Sequence, residues 1–253
     1  MKKLLLIGGI IILPLILISC AAQPAIGVSE EAPLPTPLPQ TNTPEPTATL
    51  ALTPTPEGQI FRDDFTGQLR SEWSWENEVP SRWTLTYDGR LQIIGQDPSL
   101  LLGGVQSNLL WTTLPEGDFA ISVHLQAQPV VNFQQATMYL YENPENFVAL
   151  NRGYCGFCVS GGNAIYMEYK IGKDFGTYKQ PTNVTDLYLK LVSQENVISG
   201  YYAFEPDQWQ RLGRFGNYFQ FKRVGLGVSN VDQKHTSSDD LIGMFDYFEI
   251  TRP

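Results

Sequence analysis

Short segments with apolar residues at every second position recur along the chain from residue 61 to its end. The alternation is clearest in residues 118–126, and it returns in 136–141, 165–170 and 187–191. A period of two predicts β-strands that place one face against a core. No long run in this region has the spacing of an amphipathic helix, so the pattern predicts an all-β domain.

Turn residues divide these segments into hairpins. Asp88-Gly89 joins residues 83–86 to 91–94, and Asp-Gly is a strong signal for a tight hairpin. The turn Glu205–Gln208 joins 197–204 to 209–211 in the same way. Further strands are predicted at 108–112, 147–151, 224–229 and 244–251. About a dozen short strands at regular spacing predict an antiparallel two-sheet β-sandwich with a jelly-roll topology.

The N-terminus has the pattern of a secretory signal. Lys2 and Lys3 precede an apolar run that Gly8, Gly9 and Pro14 interrupt. The sequence Leu-Ile-Ser-Cys at residues 17–20 resembles the lipobox of bacterial lipoproteins, in which Cys20 becomes the lipidated N-terminus. We therefore expect residues 1–20 to be a signal peptide and the protein to be lipid-anchored in the cell envelope, outside the cytoplasm. The alternative is an uncleaved membrane anchor with an incidental cysteine.

Residues 21–58 differ in composition from the rest of the chain. They are rich in proline and threonine and nearly free of aromatic residues. Such a segment buries too little apolar surface to offset its ordering entropy, so it is expected to be a disordered linker. Extended at about 3.1 Å per residue, it would span on the order of 100 Å. Residues 59–253 then form the one folded domain.

Charge and cysteine content narrow the function. The net charge is −9 and no basic cluster interrupts the sequence, which argues against nucleic acid as a partner. Cys155 and Cys158 lie in a glycine-rich loop between two predicted strands, whereas redox C-x-x-C motifs open a helix in a βαβ unit. His124 and His235 are too few to complete a zinc site. A disulfide between Cys155 and Cys158 is therefore the prediction for an extracytoplasmic protein.

A series of short motifs resembles a known family. The motifs include FRDDF, WSW and E-x-P-S-R-W near residues 61–83, and V-G-L-G-V-S-N and F-D-Y-F-E-I near the end. In this order they resemble the concanavalin A-like β-sandwich at the C-terminus of β-xylosidases and arabinofuranosidases. The resemblance covers most of residues 61–250. The sequence is also similar to stand-alone lectin- or glucanase-like domains of bacterial surface proteins.

The resemblance implies two structural features. The first strand, 61–65, would lie beside 244–251 and close the sandwich. Related sandwiches often carry one structural calcium, and Asp64 and Asp246 are the expected ligands because the two chain ends would bring them together. Solvated surface acids are the alternative, since calcium needs six to eight oxygen ligands.

A carbohydrate-binding face is expected where aromatic and polar residues share the side of the strands that faces away from the core. A glycan or polysaccharide would be the partner, held by stacking and hydrogen bonds. The alternatives are an ordinary exposed sheet face and, for the tryptophans, core packing. The expected carbohydrate-binding residues are Trp75, Glu76, Gln135, Tyr139, Tyr141, Tyr166 and Glu168, with Tyr188 and Lys190 on the same predicted face.

Catalytic residues are not assigned. Sandwich glucanases use a clustered E-x-D-x-x-E on one strand, whereas Glu205 and Asp207 are followed by Gln210 at the third position and lie in a predicted turn. Glu76 with Glu168 is a possible alternative pair. We therefore expect a non-catalytic, lectin-like domain on a surface lipoprotein. A glycoside hydrolase-like enzyme and a protein-interaction or structural envelope module without a sugar ligand are the alternatives.

Overall fold

The computed structural model describes residues 58–217, 219–230 and 240–253, and they form two antiparallel β-sheets packed face to face. The predicted signal peptide with Cys20, and all but the last residue of the predicted linker, lie outside the described residues. In the described part of the chain, no helix is long and apolar enough to cross a membrane.

Sheet 1 has eight strands. Their order is β13-β12-β11-β6-β15-β4-β3, and β1 also pairs with β15. The strands of sheet 1 are β1 (Gln59–Asp63), β3 (Trp83–Leu85), β4 (Leu91–Ile94), β6 (Phe119–Ala127), β11 (Asp186–Gln194), β12 (Val197–Ala203), β13 (Gln210–Gly216) and β15 (Ile242–Thr251).

Sheet 2 has seven strands in the order β10-β9-β8-β7-β14-β5-β2. Two short 3-10 helices, Pro80–Arg82 and Leu100–Leu102, lie in the connections. The strands of sheet 2 are β2 (Ser74–Glu76), β5 (Leu109–Thr113), β7 (Gln135–Asn143), β8 (Asn146–Tyr154), β9 (Asn163–Ile171), β10 (Asp174–Pro181) and β14 (Arg223–Ser229).

The core lies between the sheets because alternate residues of each strand point inward. In β6, Phe119, Ile121 and Val123 are buried, and in β7 the inward residues include Met138 and Leu140. Each large apolar side chain that is fully buried in this way contributes roughly 1.5–3 kcal/mol. The predicted all-β sandwich is confirmed.

Asp63 holds the first strand to the segment that follows it. Its carboxylate is buried and accepts hydrogen bonds from the indole Nε1 of Trp73 at 2.8 Å and from the backbone N–H of Phe65 at 2.8 Å. Trp73 in turn packs against Phe61 and Phe248. This contact also confirms that β1 closes the sandwich beside β15.

The hairpins at Asp88-Gly89 and Glu205–Gln208 are confirmed, as β3–β4 and β12–β13. The edge strand β10 was not predicted from the sequence. Its residues are exposed at alternate positions and Pro181 ends it, so it lacks the apolar period of a half-buried strand.

Candidate functional site

The outer face of sheet 2, which points away from the core, carries the main polar cluster. Cross-strand partners in an antiparallel sheet share a face. The register therefore places Glu168 of β9 in one row with Ala149, Tyr139, Gly225 and Trp111. The neighbouring row contains Tyr166, Asn151, Thr137 and Gly227.

Glu168 is the centre of this cluster. Its Oε2 accepts a hydrogen bond from the side-chain amide of Asn151 at 2.9 Å and another from that of Gln135 at 3.0 Å. Burial raises the pKa of the Glu168 carboxyl above its ordinary value, and the two amide hydrogen bonds act in the opposite direction. Glu168 is nevertheless partly exposed, so a ligand has access to it.

Three buried acceptor oxygens around Glu168 have no hydrogen-bond partner. They are Oε1 of Gln135, Oδ1 of Asn151 and Oγ1 of Thr137. Gly153 lies beside Gln135 in the register, and a Cβ atom built on it would lie 2.7 Å from Asn151 Oδ1. Buried polar atoms are normally satisfied by protein groups or ordered water, so these oxygens mark a polar region on the outer face. We call Gln135, Thr137, Asn151 and Glu168 the polar floor.

A covering segment lies against the outer face next to the polar floor. Leu100 and Leu101 pack over the cluster formed by Trp111 and Tyr139. The Tyr139 hydroxyl donates a hydrogen bond to Gln106 Oε1 at 2.8 Å. Tyr139 is therefore fully buried, and its predicted exposure is wrong.

The disulfide loop covers the β9 side of the polar floor. The predicted disulfide between Cys155 and Cys158 is confirmed. Cys155 packs against Tyr166, whose hydroxyl donates a hydrogen bond to the backbone oxygen of Gly162 at 3.1 Å. Burial raises the pKa of Tyr166 to about 12. The predicted exposure of Tyr166 is also wrong, so both tyrosines support the site from beneath.

A second cluster follows at the β14–β2 side of the outer face. The Arg223 guanidinium lies 4.4 Å from the ring centre of Trp111 and 4.5 Å from that of Tyr141. Its Nη1 forms an ion pair with Glu76 Oε2 at 2.6 Å. Tyr141, Arg223 and Glu76 are all partly exposed, so they provide a polar and aromatic surface. We call these three residues and Trp111 the arginine stack.

Trp75 lies on the core side of sheet 2. Its register partner Leu110 is a core residue, and the Trp75 ring lies 4.7 Å from that of Trp83. Trp75 is therefore not on the outer face, where its ligand contact was expected. Its neighbour Glu76 does lie on the outer face. Trp73 shares the core side, so the two tryptophans have the same parity.

Tyr188 and Lys190 do not join the polar floor. They belong to β11 in sheet 1, whereas the other predicted residues belong to sheet 2. On their own sheet, Tyr188 stacks on His124 at 4.2 Å and Lys190 lies 3.8 Å from the ring centre of Trp209. Tyr188 and Lys190 were expected on the same face as the other residues, and the two sheets separate them because alternation along a strand does not specify the sheet.

The alternative catalytic pair is widely separated. Glu168 is on β9 and Glu76 is on β2, with four strands between them. Five strand spacings of about 4.8 Å place the two strands roughly 24 Å apart, whereas glycosidase carboxylates lie about 5–9.5 Å apart. Glu205 and Asp207 lie in the exposed turn between β12 and β13, as predicted.

The predicted calcium ligands each have a protein partner. Asp64 Oδ1 accepts a hydrogen bond from Arg62 Nη2 at 2.6 Å. Asp246 Oδ2 lies 2.5 Å from His124 Nδ1, and its Oδ1 lies 3.8 Å from Arg90 Nε. Within the described ranges, no group of three or more His, Cys, Asp or Glu residues is arranged to hold a metal. A calcium held by Asp64 and Asp246 stays a prediction.

A surface cavity of about 680 Å³ lies at the opposite end of sheet 2 from Gln135. Residues 113–119 and 219–222 form much of its lining, together with Ser193, Asn196 and Asn217. None of the described buried polar atoms that lack a partner belongs to this lining. The polar floor is therefore the stronger candidate site.

Sequence reasoning missed Thr137, Asn151, Trp111 and Arg223. Thr137 has the same parity as Tyr139 in β7, so its side of the strand was predictable. The other three required knowledge of which strands are adjacent. The V-G-L-G-V pattern of β14 gave one signal, since residues facing Trp111 and Tyr139 must be small.

The two facing sheets define a concanavalin A-like sandwich. Residues 62–251 match the β-xylosidase C-terminal concanavalin A-like domain, and the chain belongs to this family. No curated protein matches the chain.

Solved structures share the fold. The GH43 protein BlXynB from Bacillus licheniformis is 20% identical with a TM-score of 0.65, over 76% of this chain and 39% of that chain. A xylan β-1,4-xylosidase from Bacillus halodurans C-125 is 21% identical with a TM-score of 0.62, over 78% and 40%. A Bacillus licheniformis β-glucanase is 12% identical with a TM-score of 0.55, over 78% and 100%. The chain thus spans about two fifths of the BlXynB and xylan β-1,4-xylosidase chains.

Proposed function

We propose that the domain binds a glycan without cleaving it, on the outer face of sheet 2. The observation that carries this proposal is the polar floor, where two side-chain amides hold the partly exposed Glu168 carboxylate on the outer face. Sugar hydroxyl groups donate hydrogen bonds to such a carboxylate. Kinship with a domain of β-xylosidases supports a glycan as the class of ligand.

The arginine stack would extend the site along the same face. Tyr141 offers a partly exposed ring for stacking against a sugar, and Arg223 offers guanidinium hydrogen atoms beside it. The ion pair with Glu76 fixes the guanidinium over the two rings, so this surface is ordered before a ligand arrives. Order in advance lowers the entropic penalty of binding.

A hydrolase would need a second carboxylate near Glu168. Along β9 the outer-face neighbours of Glu168 are Tyr166 and Lys170, and across the strands they are Ala149 and Thr177. None of these four residues is acidic. The described site therefore favours binding over hydrolysis.

The anchoring of the domain is part of the same proposal. A lipid on Cys20 would hold the protein in the cell envelope, and residues 21–58 would space the sandwich from the membrane surface. In this arrangement the polar floor meets extracytoplasmic polysaccharide. The lipobox-like sequence and the proline-rich composition support it.

A glycan array followed by calorimetry tests the proposal. The purified full chain is expected to bind at least one polysaccharide, and Glu168→Gln is expected to weaken that binding by about tenfold, since one charge-assisted hydrogen bond contributes about 1.5–3 kcal/mol. The matched control is Glu205→Gln in the exposed turn of sheet 1. Release of reducing sugar that Glu168→Gln abolishes would instead identify a hydrolase, and absence of binding to every glycan would refute the proposal.

A further inference from the structure

We infer that the polar floor selects uncharged, hydroxyl-rich sugar units and rejects acidic ones such as uronates. This inference rests on the proposed function, and it names the class of glycan. It follows from two properties of the outer face of sheet 2, namely the partly exposed Glu168 carboxylate and the prior engagement of nearby cations.

The Glu168 carboxylate is the acceptor of the floor that a ligand can reach, because the residue is partly exposed. The side-chain amides of Gln135 and Asn151 donate hydrogen bonds to its Oε2 and hold it in place. An ionised carboxylate only accepts hydrogen bonds, so a ligand that donates hydrogen bonds here is favoured. A carboxylate or sulfate brings only acceptors.

The basic residues of the outer face already have partners. Arg223 is paired with Glu76 at 2.6 Å. Lys170 Nζ lies 3.1 Å from Glu145 Oε2 and also donates a hydrogen bond to a backbone oxygen. Lys179 Nζ donates a hydrogen bond to the Cys158 backbone oxygen at 2.8 Å. An acidic sugar on the floor would therefore meet the Glu168 carboxylate with no uncommitted cation beside it.

Arg152 does not provide an uncommitted cation at the polar floor, although it adjoins Asn151 in sequence. It is buried, and its register partners Ala136 and Ile165 belong to the core side of the sheet. Its guanidinium donates hydrogen bonds to the backbone oxygens of Val184, Gly153 and Ala164 and to Asn163 Oδ1. Burial lowers the pKa of Arg152 to about 10. Its guanidinium is already engaged by these hydrogen bonds.

Matched pairs of neutral and acidic polymers test the inference. Suitable probes are galactan with homogalacturonan, xylan with glucuronoxylan, and a β-glucan with its C6-oxidised form. The full chain is expected to bind the neutral member about tenfold more tightly or better, since juxtaposed like charges disfavour binding. Equal or tighter binding of the acidic members would overturn the inference while leaving glycan binding established. Failure to bind any glycan would overturn the proposed function and the inference together.

The substitution Glu168→Gln assigns the effect to one residue. It is expected to bring the neutral-to-acidic affinity ratio towards one, because the amide keeps the shape of the side chain and removes its charge. Glu205→Gln changes the net charge of the protein by the same amount and lies on the other sheet, so the ratio should be unchanged in that control. An unaltered ratio in Glu168→Gln, or an equal change in both variants, would contradict the assignment.

Discussion

Glu168 shows how one residue links stability to binding. A carboxylate that is desolvated and held by only two amides destabilises the folded state at neutral pH, and functional sites commonly retain such groups. The same ionised oxygen atoms are what a sugar hydroxyl would bind. Stability and affinity should therefore change in opposite directions when Glu168 is neutralised.

The pH dependence of unfolding tests this link. Because the pKa of Glu168 is raised in the folded state, protonation of Glu168 stabilises the folded protein at low pH. This contribution to stability is lost as the pH rises through the raised pKa. Glu168→Gln is therefore expected to unfold at a higher temperature than the wild type at pH 7. The difference should shrink below about pH 4, where the carboxyl group is protonated in both states.

Differential scanning calorimetry from pH 3.5 to pH 7.5 would measure this difference. Glu205→Gln should follow the wild type throughout, since Glu205 is exposed and lies in a turn. A Glu168→Gln variant that is less stable than the wild type at pH 7 would show that the carboxylate stabilises the fold, contrary to the present account.

At the scale of elements, Gly225 and Gly227 alternate with core residues in β14, and packing on the outer face explains this pattern. Gly225 lies directly beneath Trp111, and a Cβ atom on it would lie 2.4 Å from the indole ring and 2.3 Å from the backbone oxygen of Leu110. The Arg223 guanidinium lies over the ring of Trp111. The strand must therefore stay free of side chains on this face for the arginine stack to form.

Substitution of Gly225 by alanine is expected to destabilise the domain by about 1–3 kcal/mol, because an overpacked contact forces the indole or the strand to shift. Urea denaturation followed by tryptophan fluorescence would measure this. Gly156→Ala is the matched control, since its nearest neighbour would be at an ordinary 3.5 Å. Equal stability of Gly225→Ala and the wild type would contradict the proposed packing.

The disulfide loop is a second element whose role can be measured. Replacing Cys155 and Cys158 with serine is expected to lower the free energy of unfolding by roughly 2 kcal/mol, the chain-entropy value for so short a loop. The loop should also cover Tyr166 less firmly, so hydrogen exchange at 155–166 should become faster. Reductant should destabilise the wild type to the level of the variant and leave the variant unchanged. Insensitivity of the wild type to reductant would contradict this role.

The elements show how far sequence reasoning extends. Alternation predicted the strands, and it predicted that Glu168, Gln135 and Tyr141 point away from the core, because parity is a local property. It did not predict that residues 96–107 fold back over Tyr139, since that contact joins segments far apart in sequence. The sequence placed Trp75 among the expected ligand contacts, whereas packing against Leu110 and Trp83 decides its position.

At the scale of the whole molecule, the described residues form one sandwich, and the proposed anchor at Cys20 lies outside them. The domain belongs to the β-xylosidase C-terminal concanavalin A-like family, and the chain covers about two fifths of the two similar Bacillus chains. A binding domain on a membrane tether would keep a polysaccharide near the cell surface, and the proline-rich linker would set the distance. The proposed lipid anchor can be tested at Cys20, independently of the fold.

Replacement of Cys20 with serine is expected to move the protein from the membrane fraction to the precursor or soluble pool, because the acyl chains that hold it would be missing. Labelling of cells with an alkyne fatty acid should mark the wild type and not the variant. Glycan affinity of the purified variant should equal that of the wild type. Equal fatty-acid labelling of both proteins would exclude Cys20 as the anchor.

The most direct measurement of the central claim is isothermal titration calorimetry of the full chain with a neutral polysaccharide, its acidic counterpart, and the variants Glu168→Gln and Glu205→Gln. The account predicts binding of the neutral polymer, weaker binding of the acidic one, and a loss of both affinity and discrimination in Glu168→Gln alone. Glycan binding that is unaffected by Glu168→Gln would place the site elsewhere on the domain and contradict the account.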